Sequence, residues 1–513
     1  MDGRGADDFP GRLFAAAYLA ERRDLGVRER AEIIGAVGQS GPGSGGLEPR
    51  VRFDPEQWVA TLNRRKPDFG KMERAAAWAR AWRDRGVRAI TPAEAGMGLF
   101  AAGVPAVLFT WGDGDVLSRP LAAILNSRKP QTMKPGDPWI EASREMFRTA
   151  AAAGSALATS WGERQYELTW RLAAEAKVPA LVVCPGPLPG PAPGLGDDGF
   201  MDRYGEFMVP GRTLFMSLFS PGSLPPPRTL GLMRDVGVAG LARVIFAAEI
   251  RAGGTIEALA RQALRAGVDV RAFVFDRRTN SNDGNFALLE SGARPFNQGA
   301  FPVGPVSRRR GAGRTSGTPA ASADLAGRLI HFTRSCPGPW PGQGLYDYYG
   351  ALLRGDPGAA HAGFDALKRI LEEKLIRGSG RLTRGRIPVV SFTSLGPESL
   401  PRLIQWRPAL ARWTMEPYGL SLDKKTLRHL GARPVIYGAA EVWDRLPARQ
   451  GFRFQMEGAA DAAWRKEREW RVPGSLDLGL IRPGDMIALV PSAAEARELE
   501  TAFGIRARAL FPG

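Results

Sequence analysis

Three short segments carry side chains suited to holding phosphate. The first, LAAILNSRKP (121–130), ends an apolar run on Ser127, Arg128 and Lys129. A hydroxyl and two cations at one joint donate hydrogen bonds to phosphate oxygens; a solvated loop with a Lys-Pro turn has the same composition. The second, ALATSWGERQYEL (156–168), closes its apolar run on Ser160, with Trp161 and Tyr166 nearby. Those two rings can stack on a base or bury against a sheet. The third, ARVIFAAEIRAGGTIEALARQAL (242–264), turns at Gly253-Gly254-Thr255 into a helical pattern. Two glycines let a phosphate come close to the free N–H groups of a helix start, although Thr255 also suits an ordinary N-cap. Glu249, just upstream, can accept from a ribose hydroxyl or serve a helix N-terminus.

A second group of candidates, for catalysis, lies near the C-terminus: His331, Tyr418, Glu467 and Glu469. His331 sits between Ile330 and Phe332, a setting that also suits a satisfied core histidine. Tyr418 stands in a Pro-Tyr-Gly turn. If WRKEREWRV (464–472) is a strand, Glu467 and Glu469 share a face as paired carboxylates. Such a pair can stabilise the oxocarbenium-like charge that develops when a nicotinamide nucleotide is cleaved. If the run is a helix, it is a solvated, salt-bridged face. Arg308, Arg309, Arg310 and Arg314 are a further basic cluster, suited to a nucleic-acid backbone or to solvent.

The elements that position these residues follow from periodicity. Fully apolar strands such as PALVVC (179–184) alternate with amphipathic helices such as EASREMFRTAAAAG (141–154) and ERQYELTWRLAAEA (163–176). That alternation predicts an α/β fold, a Rossmann-like and mostly parallel sheet with helices on both faces. Its loops collect at one edge, where helix N-termini face anions. The expected organisation is an N-terminal helical region (1–85), the Rossmann-type domain (86–301), a basic flexible linker (302–327) and a separate C-terminal α+β domain (328–513).

The chain has 513 residues, 44% hydrophobic and 24% charged, which places it among globular chains of two or three domains. Seventy Lys and Arg against 53 Asp and Glu leave a net charge of +17. That excess favours a polyanionic partner or simply aids solubility. Two cysteines cannot build a disulfide framework and suit a reducing cytosol. Three histidines without zinc-type spacing argue against a metal site. No signal-peptide core and no run of 18 apolar residues occur, so a cytoplasmic location without a membrane span is expected.

From about residue 10 to 300 the chain resembles the DNA-processing protein A family (DprA, also called Smf), whose Rossmann-like core belongs to the SLOG superfamily. Four stretches carry the resemblance: 86–117, LAAILNSRKP, 218–273, and DGNFALLESGARPF (283–296). The resemblance implies single-stranded DNA binding in a basic pocket and a role in DNA uptake and recombinase loading. Ser127 and Arg128 match the first family motif, Arg234 the next, Gly253, Gly254 and Thr255 the third, and Asn285 the last. Asn126 stands where the family has Gly, Trp161 likewise, and Asp235 and Val236 replace an Asn and an Arg. The C-terminal domain faintly resembles abortive-infection domains of phage defence, through LIHFTR (329–334), VVSFTS (389–394) and WRKEREWRV. Its order of His, Tyr and Glu is also that of some ADP-ribosyltransferase folds.

The leading expectation is therefore a protein that binds single-stranded DNA or a nucleotide and is coupled to a C-terminal effector, in DNA uptake or phage defence. Homodimerisation and recombinase or defence-system partners accompany that expectation, with no cofactor beyond a possible nucleotide ligand. The alternatives are an ADP-ribose or NAD-type transferase or hydrolase in the C-terminal domain, and a non-catalytic scaffold. Whether the protein is an enzyme stays open at this point.

Overall fold

A computed structural model describes residues 69–97, 107–129, 132–189, 199–219, 226–296, 325–399, 406–407, 412–456 and 464–511. Most of the expected N-terminal helical region and nearly all of the expected linker, with Arg308–Arg310 and Arg314, lie outside them. The chain divides into two compact units. The first comprises Met1–Pro130, Gly136–Pro302 and Gly344–Arg354; the second comprises Gln131–Pro135, Val303–Gln343 and Gly355–Gly513.

The first unit is built on a nine-stranded sheet. Its strands are β1 (Arg88–Ile90), β2 (Leu108–Gly112), β3 (Leu121–Leu125), β4 (Ala156–Ser160), β5 (Ala180–Cys184), β6 (Thr213–Ser217), β7 (Val244–Ala247), β8 (Asp269–Phe273) and β9 (Arg294–Phe296). They lie in the order β1-β2-β6-β5-β4-β3-β7-β8-β9. From β6 to β9 every pairing is parallel, while β2 joins β1 and β6 antiparallel. Every residue of β3, β4, β5 and β6 is buried, as helices on both faces require of apolar strands without alternation. The mostly parallel α/β architecture expected from the sequence is what the chain forms.

The covering helices are α1 (Phe69–Asp84), α2 (Pro138–Ala152), α3 (Arg164–Glu175), α4 (Gly199–Tyr204), α5 (Pro227–Leu241), α6 (Thr255–Arg265), α7 (Asp283–Glu290) and α8 (Leu345–Arg354). Leu125, Ala158, Val183, Met216 and Ile245 of the sheet share one core with Val238 and Leu241 of α5 and Leu259 and Ala263 of α6. Gly154 and Gly267 follow α2 and α6 with φ of 74° and 80°. Only glycine takes that left-handed conformation at little cost, so each ends its helix sharply.

The strand order decides where a ligand fits. From β3 the chain moves to β4, β5 and β6 on one side, then returns to place β7, β8 and β9 on the other. The loops leaving β3 and its neighbours diverge there and open a crevice at the carboxyl ends of the strands.

The second unit has a seven-stranded sheet of β10 (Arg328–Thr333), β11 (Val389–Thr393), β12 (Tyr418–Asp423), β13 (Arg433–Pro434), β14 (Glu469–Pro473), β15 (Met486–Val490) and β16 (Arg506–Ala509). The order is β13-β14-β11-β10-β12-β15-β16, and only the β15–β16 pairing is parallel. Helices Gly363–Glu373 and Ala493–Phe503 pack against it through Leu367, Leu371 and Leu499. Among the described residues no helix is long and apolar enough to cross a membrane.

Candidate phosphate-binding site

The loops after β3 and β7 are stitched together. Asn126, fully buried, accepts from the Glu249 N–H at 3.1 Å and donates to Ser143 Oγ at 3.1 Å. Its side chain therefore points inward as a strut. The Ser127 N–H donates to the Glu249 carbonyl at 3.1 Å, and Ser127 Oγ accepts from the Arg251 N–H at 2.9 Å. Lys129 turns away from solvent: its Nζ lies 2.5 Å from Glu249 Oε2 and 3.2 Å from the Glu249 carbonyl. Burial lowers the Lys129 pKa against the opposing pull of Glu249. Ser281 donates to the other Glu249 oxygen at 3.0 Å, so this carboxylate is occupied inside the protein.

Asn285 is likewise internal. Its Oδ1 accepts from the Ile250 N–H at 2.7 Å, and its Nδ2 donates to the carbonyls of Ala247, Ala248 and Phe273. It anchors the start of α7 beneath the loop that follows β7. Ser160 is fully buried and donates to the Val183 carbonyl at 2.5 Å.

Above these struts lies a cavity of about 440 Å³, lined by Ser127, Arg128, Glu163, Gln165, Arg234, Asp235, the 251–256 turn and Asn280. It occupies the crevice that the strand order opens. Ser127, Arg128, Arg234, Gly253, Gly254 and Thr255, six residues singled out in the sequence, meet here. Lys129, Ser160 and Asn285 do not line it; they carry the loops that do.

The cavity is mixed in charge, with three guanidiniums (Arg128, Arg234, Arg251) and two carboxylates (Glu163, Asp235). Arg128 is the exposed cation: its side chain is 79% exposed and only loosely paired with Glu163, at 3.8 Å. Arg234 is fixed, buried against Asp235 at 2.9 Å and over the Tyr166 ring at 5.0 Å. Tyr166 donates its hydroxyl to Asp235 at 2.9 Å. Burial pushes the Asp235 carboxyl above its usual range, although the Arg234 charge pulls the other way. The 251–256 turn adds main-chain donors. Glu257 takes the Gly253 N–H at 2.5 Å and Asp283 the Ala252 N–H at 2.7 Å. The N–H groups of Gly254, Thr255 and Ile256 have no hydrogen bond among the described residues. A phosphate can take all three, with the α6 dipole behind them.

The aromatic residues of the second loop are structural. Trp161 packs on Phe200 and Phe215, with ring centroids 5.0 and 6.0 Å apart, and Tyr166 is fully buried. Behind them Glu167, also buried, accepts from the Gly162 N–H at 3.1 Å, from Tyr204 at 2.5 Å and from Tyr349 of α8 at 2.5 Å. Sequence reasoning passed over Arg251, Glu163, Gln165 and Asn280. Arg251, a cation two residues before a Gly-Gly turn, carried a readable signal; the other three did not.

The catalytic candidates of the second unit are held by separate partners. The His331 ring meets the Ser391 carbonyl at 2.9 Å, and burial pushes its pKa down. Tyr418 donates to Glu495 at 3.1 Å; burial and that carboxylate push its pKa up. The WRKEREWRV run is neither one strand nor one helix. Trp464–Glu467 is a 3-10 turn, Arg468 has a φ of 45°, and β14 starts at Glu469. Glu467 and Glu469 thus do not alternate along a common strand. Glu469 pairs with the buried Arg471 at 2.8 Å, and Arg471 also donates to the Phe454 carbonyl at 2.7 Å. Among the described residues no three His, Cys, Asp or Glu side chains are grouped to hold a metal ion.

No protein-family model matches the chain, and no curated protein matches it. Among solved structures it is similar to DNA processing protein A from Streptococcus pneumoniae, at 16% identity over 47% of this chain and 79% of that one, with a TM-score of 0.36. It is also similar to DNA processing protein A from Helicobacter pylori, described with a single-stranded DNA binding mode, at 20% identity over 38% and 83%, with a TM-score of 0.30. The molybdenum cofactor carrier protein from Chlamydomonas reinhardtii follows at 18% identity over 35% and 90%, with a TM-score of 0.23.

Proposed function

We propose that the first unit binds single-stranded DNA, holding a backbone phosphate at the 254–256 turn. The observation that supports this most is the convergence of Ser127, Arg128, Arg234 and Gly253–Thr255, drawn from three distant segments, on one cavity. The reading is electrostatic at its base: an exposed Arg128, a second cation in Arg251, and a chain carrying +17 overall. Protein cations on phosphates release counterions, so affinity falls steeply with salt. The second unit serves in this reading as an effector that answers DNA occupancy, in DNA uptake or phage defence. An ADP-ribose chemistry in the second unit has less behind it, because Glu469 is committed to Arg471.

Fluorescence anisotropy with a labelled single-stranded oligonucleotide, titrated at several salt concentrations, tests the proposal. Arg128→Ala is expected to weaken binding and to lower the slope of log affinity against log salt by about 0.7, one phosphate contact. Wild-type binding no stronger than background at low salt would sink the reading.

A further inference from the structure

The loop after β8 carries two adjacent arginines, Arg277 and Arg278, outside the cavity lining. It reads DRRTNSND (276–283) and leaves the carboxyl end of β8, the parallel neighbour of β7. Its shape is fixed from within: the buried Asn282 accepts from the Thr279 N–H at 2.7 Å and donates to the Arg277 carbonyl at 3.0 Å. It is also tied to the loop after β7. Ser281 donates to Glu249 at 3.0 Å, and Asp283 accepts from the Ala252 N–H at 2.7 Å. Asn280 of this loop lines the cavity. Arg277 is three residues away, so its Cα lies within about 11 Å of the Asn280 Cα even where the chain is extended.

The charges on the two sides of β3 differ. Toward β4 the cations lining the cavity face carboxylates: Arg128 lies 3.8 Å from Glu163, and Arg234 lies 2.9 Å from Asp235. Toward β8 that matching stops. Arg251 and Arg277 are exposed and make no ion pair among the described residues. Arg278 lies 3.5 Å from Glu290 with both side chains more than half exposed, a pairing that contributes little. Glu249 and Asp283 are bonded inside the protein, which leaves Asp276 as the unengaged carboxylate of this loop. Exposed cations without partners attract a polyanion. A single phosphate at the 254–256 turn reaches none of them beyond Arg251, whereas a strand of several phosphates does.

We propose that a single strand held in the cavity leaves it across the loops after β7 and β8, where Arg251, Arg277 and Arg278 take the neighbouring phosphates. This rests on the DNA-binding reading above and names the path and the ligand class, an oligonucleotide of several phosphates in place of a mononucleotide.

Fluorescence anisotropy with labelled oligo(dT) of about 4 and about 16 nucleotides, lengths that bracket the site sizes of single-strand grooves, tests the path. Wild type is expected to bind the longer probe more tightly and with a steeper slope of log affinity against log salt. Arg277→Ala combined with Arg278→Ala is expected to lower the long-probe slope by about 1.4, two single-strand phosphate contacts, and the short-probe slope by half of that or less. Arg277→Lys with Arg278→Lys keeps both charges and should keep the slope, because counterion release follows charge. Arg119→Ala with Arg243→Ala removes the same charge from the opposite edge of the sheet, where both side chains are exposed ahead of β3 and β7. That pair should leave the slope unchanged; an equal fall would assign the effect to net charge and overturn the proposal. An equal fall on both probes, or a Lys pair no better than the Ala pair, would overturn it as well. A wild type that binds both probes alike, with one slope, ends the DNA contacts at the cavity and removes the path while leaving the DNA-binding reading intact. Failure of both probes to bind wild type removes that reading, and this inference with it.

Discussion

At the scale of single residues, the cavity separates side chains that meet a ligand from those that hold the cavity open. Lys129 belongs to the second kind, although its sequence neighbours suggest the first. Its ammonium is buried against Glu249, and removing one partner of a buried pair leaves the other charge uncompensated. Lys129→Met should therefore cost about 3 kcal/mol of stability, read from the denaturant midpoint, whereas Arg128→Ala should cost binding and leave stability nearly unchanged. Asp235 gives a pH signature. Its carboxyl titrates above the usual carboxylate range because it is buried. Lowering the pH through that range removes an anion from the cavity wall while phosphate stays charged, so oligonucleotide affinity should rise. Asp235→Asn should bind roughly 3- to 10-fold more tightly at neutral pH and lose that pH dependence; a variant that keeps the slope would reassign it to another group. The residue types at the cavity were partly legible in the sequence, since Ser127-Arg128 and Gly-Gly-Thr are local signals. Gln165 was not, because a place on the cavity wall is set by its surroundings.

At the scale of elements, the strands were the most readable part. Runs such as LAAIL, ALATS and ALVVC have no polar face, and a strand covered on both sides needs none. Helix α5 was hidden by its own glycines, which lower helix propensity. Gly237 is there for space: a Cβ would meet Val183 Cγ1 at 2.8 Å and Leu218 Cδ1 at 3.0 Å. Gly284, at the start of α7, is tighter still, with the Ile250 carbonyl oxygen 2.7 Å and the Arg251 carbonyl carbon 2.8 Å from a built Cβ. These are main-chain atoms of the loop that follows β7 and cannot move independently of it. Gly284→Ala is expected to cost about 1–3 kcal/mol through overpacking and to weaken oligonucleotide binding by displacing the 251–256 turn. Destabilisation with full binding would show that the turn tolerates the shift. The run 464–472 defeated periodicity because Arg468 breaks it in mid-segment.

At the scale of the whole chain, α8 is the element that reading in order could not place. Continuity assigned residues 345–354 to the C-terminal region, yet they make their contacts in the first unit. The Tyr349 hydroxyl donates to Glu167 at 2.5 Å, and Arg171 stacks on the Tyr346 ring at 3.7 Å while donating to its carbonyl. Tyr349→Phe removes a bond to a buried carboxylate and should cost about 1.5–3 kcal/mol, seen as earlier melting of the first unit. Because Glu167 also holds the Gly162 N–H, the change should loosen the loop that carries Glu163 into the cavity. This return of the chain has a consequence during synthesis. Domains fold as they leave the ribosome, at about 5–20 residues per second. The sheet is complete once Phe296 is out, but α8 emerges only after some fifty further residues, several seconds later. For that interval the nascent first unit has its strands and its 251–256 turn but lacks the Tyr349 anchor on Glu167, so the loop carrying Glu163 into the cavity is fully tied down only after translation has passed Arg354.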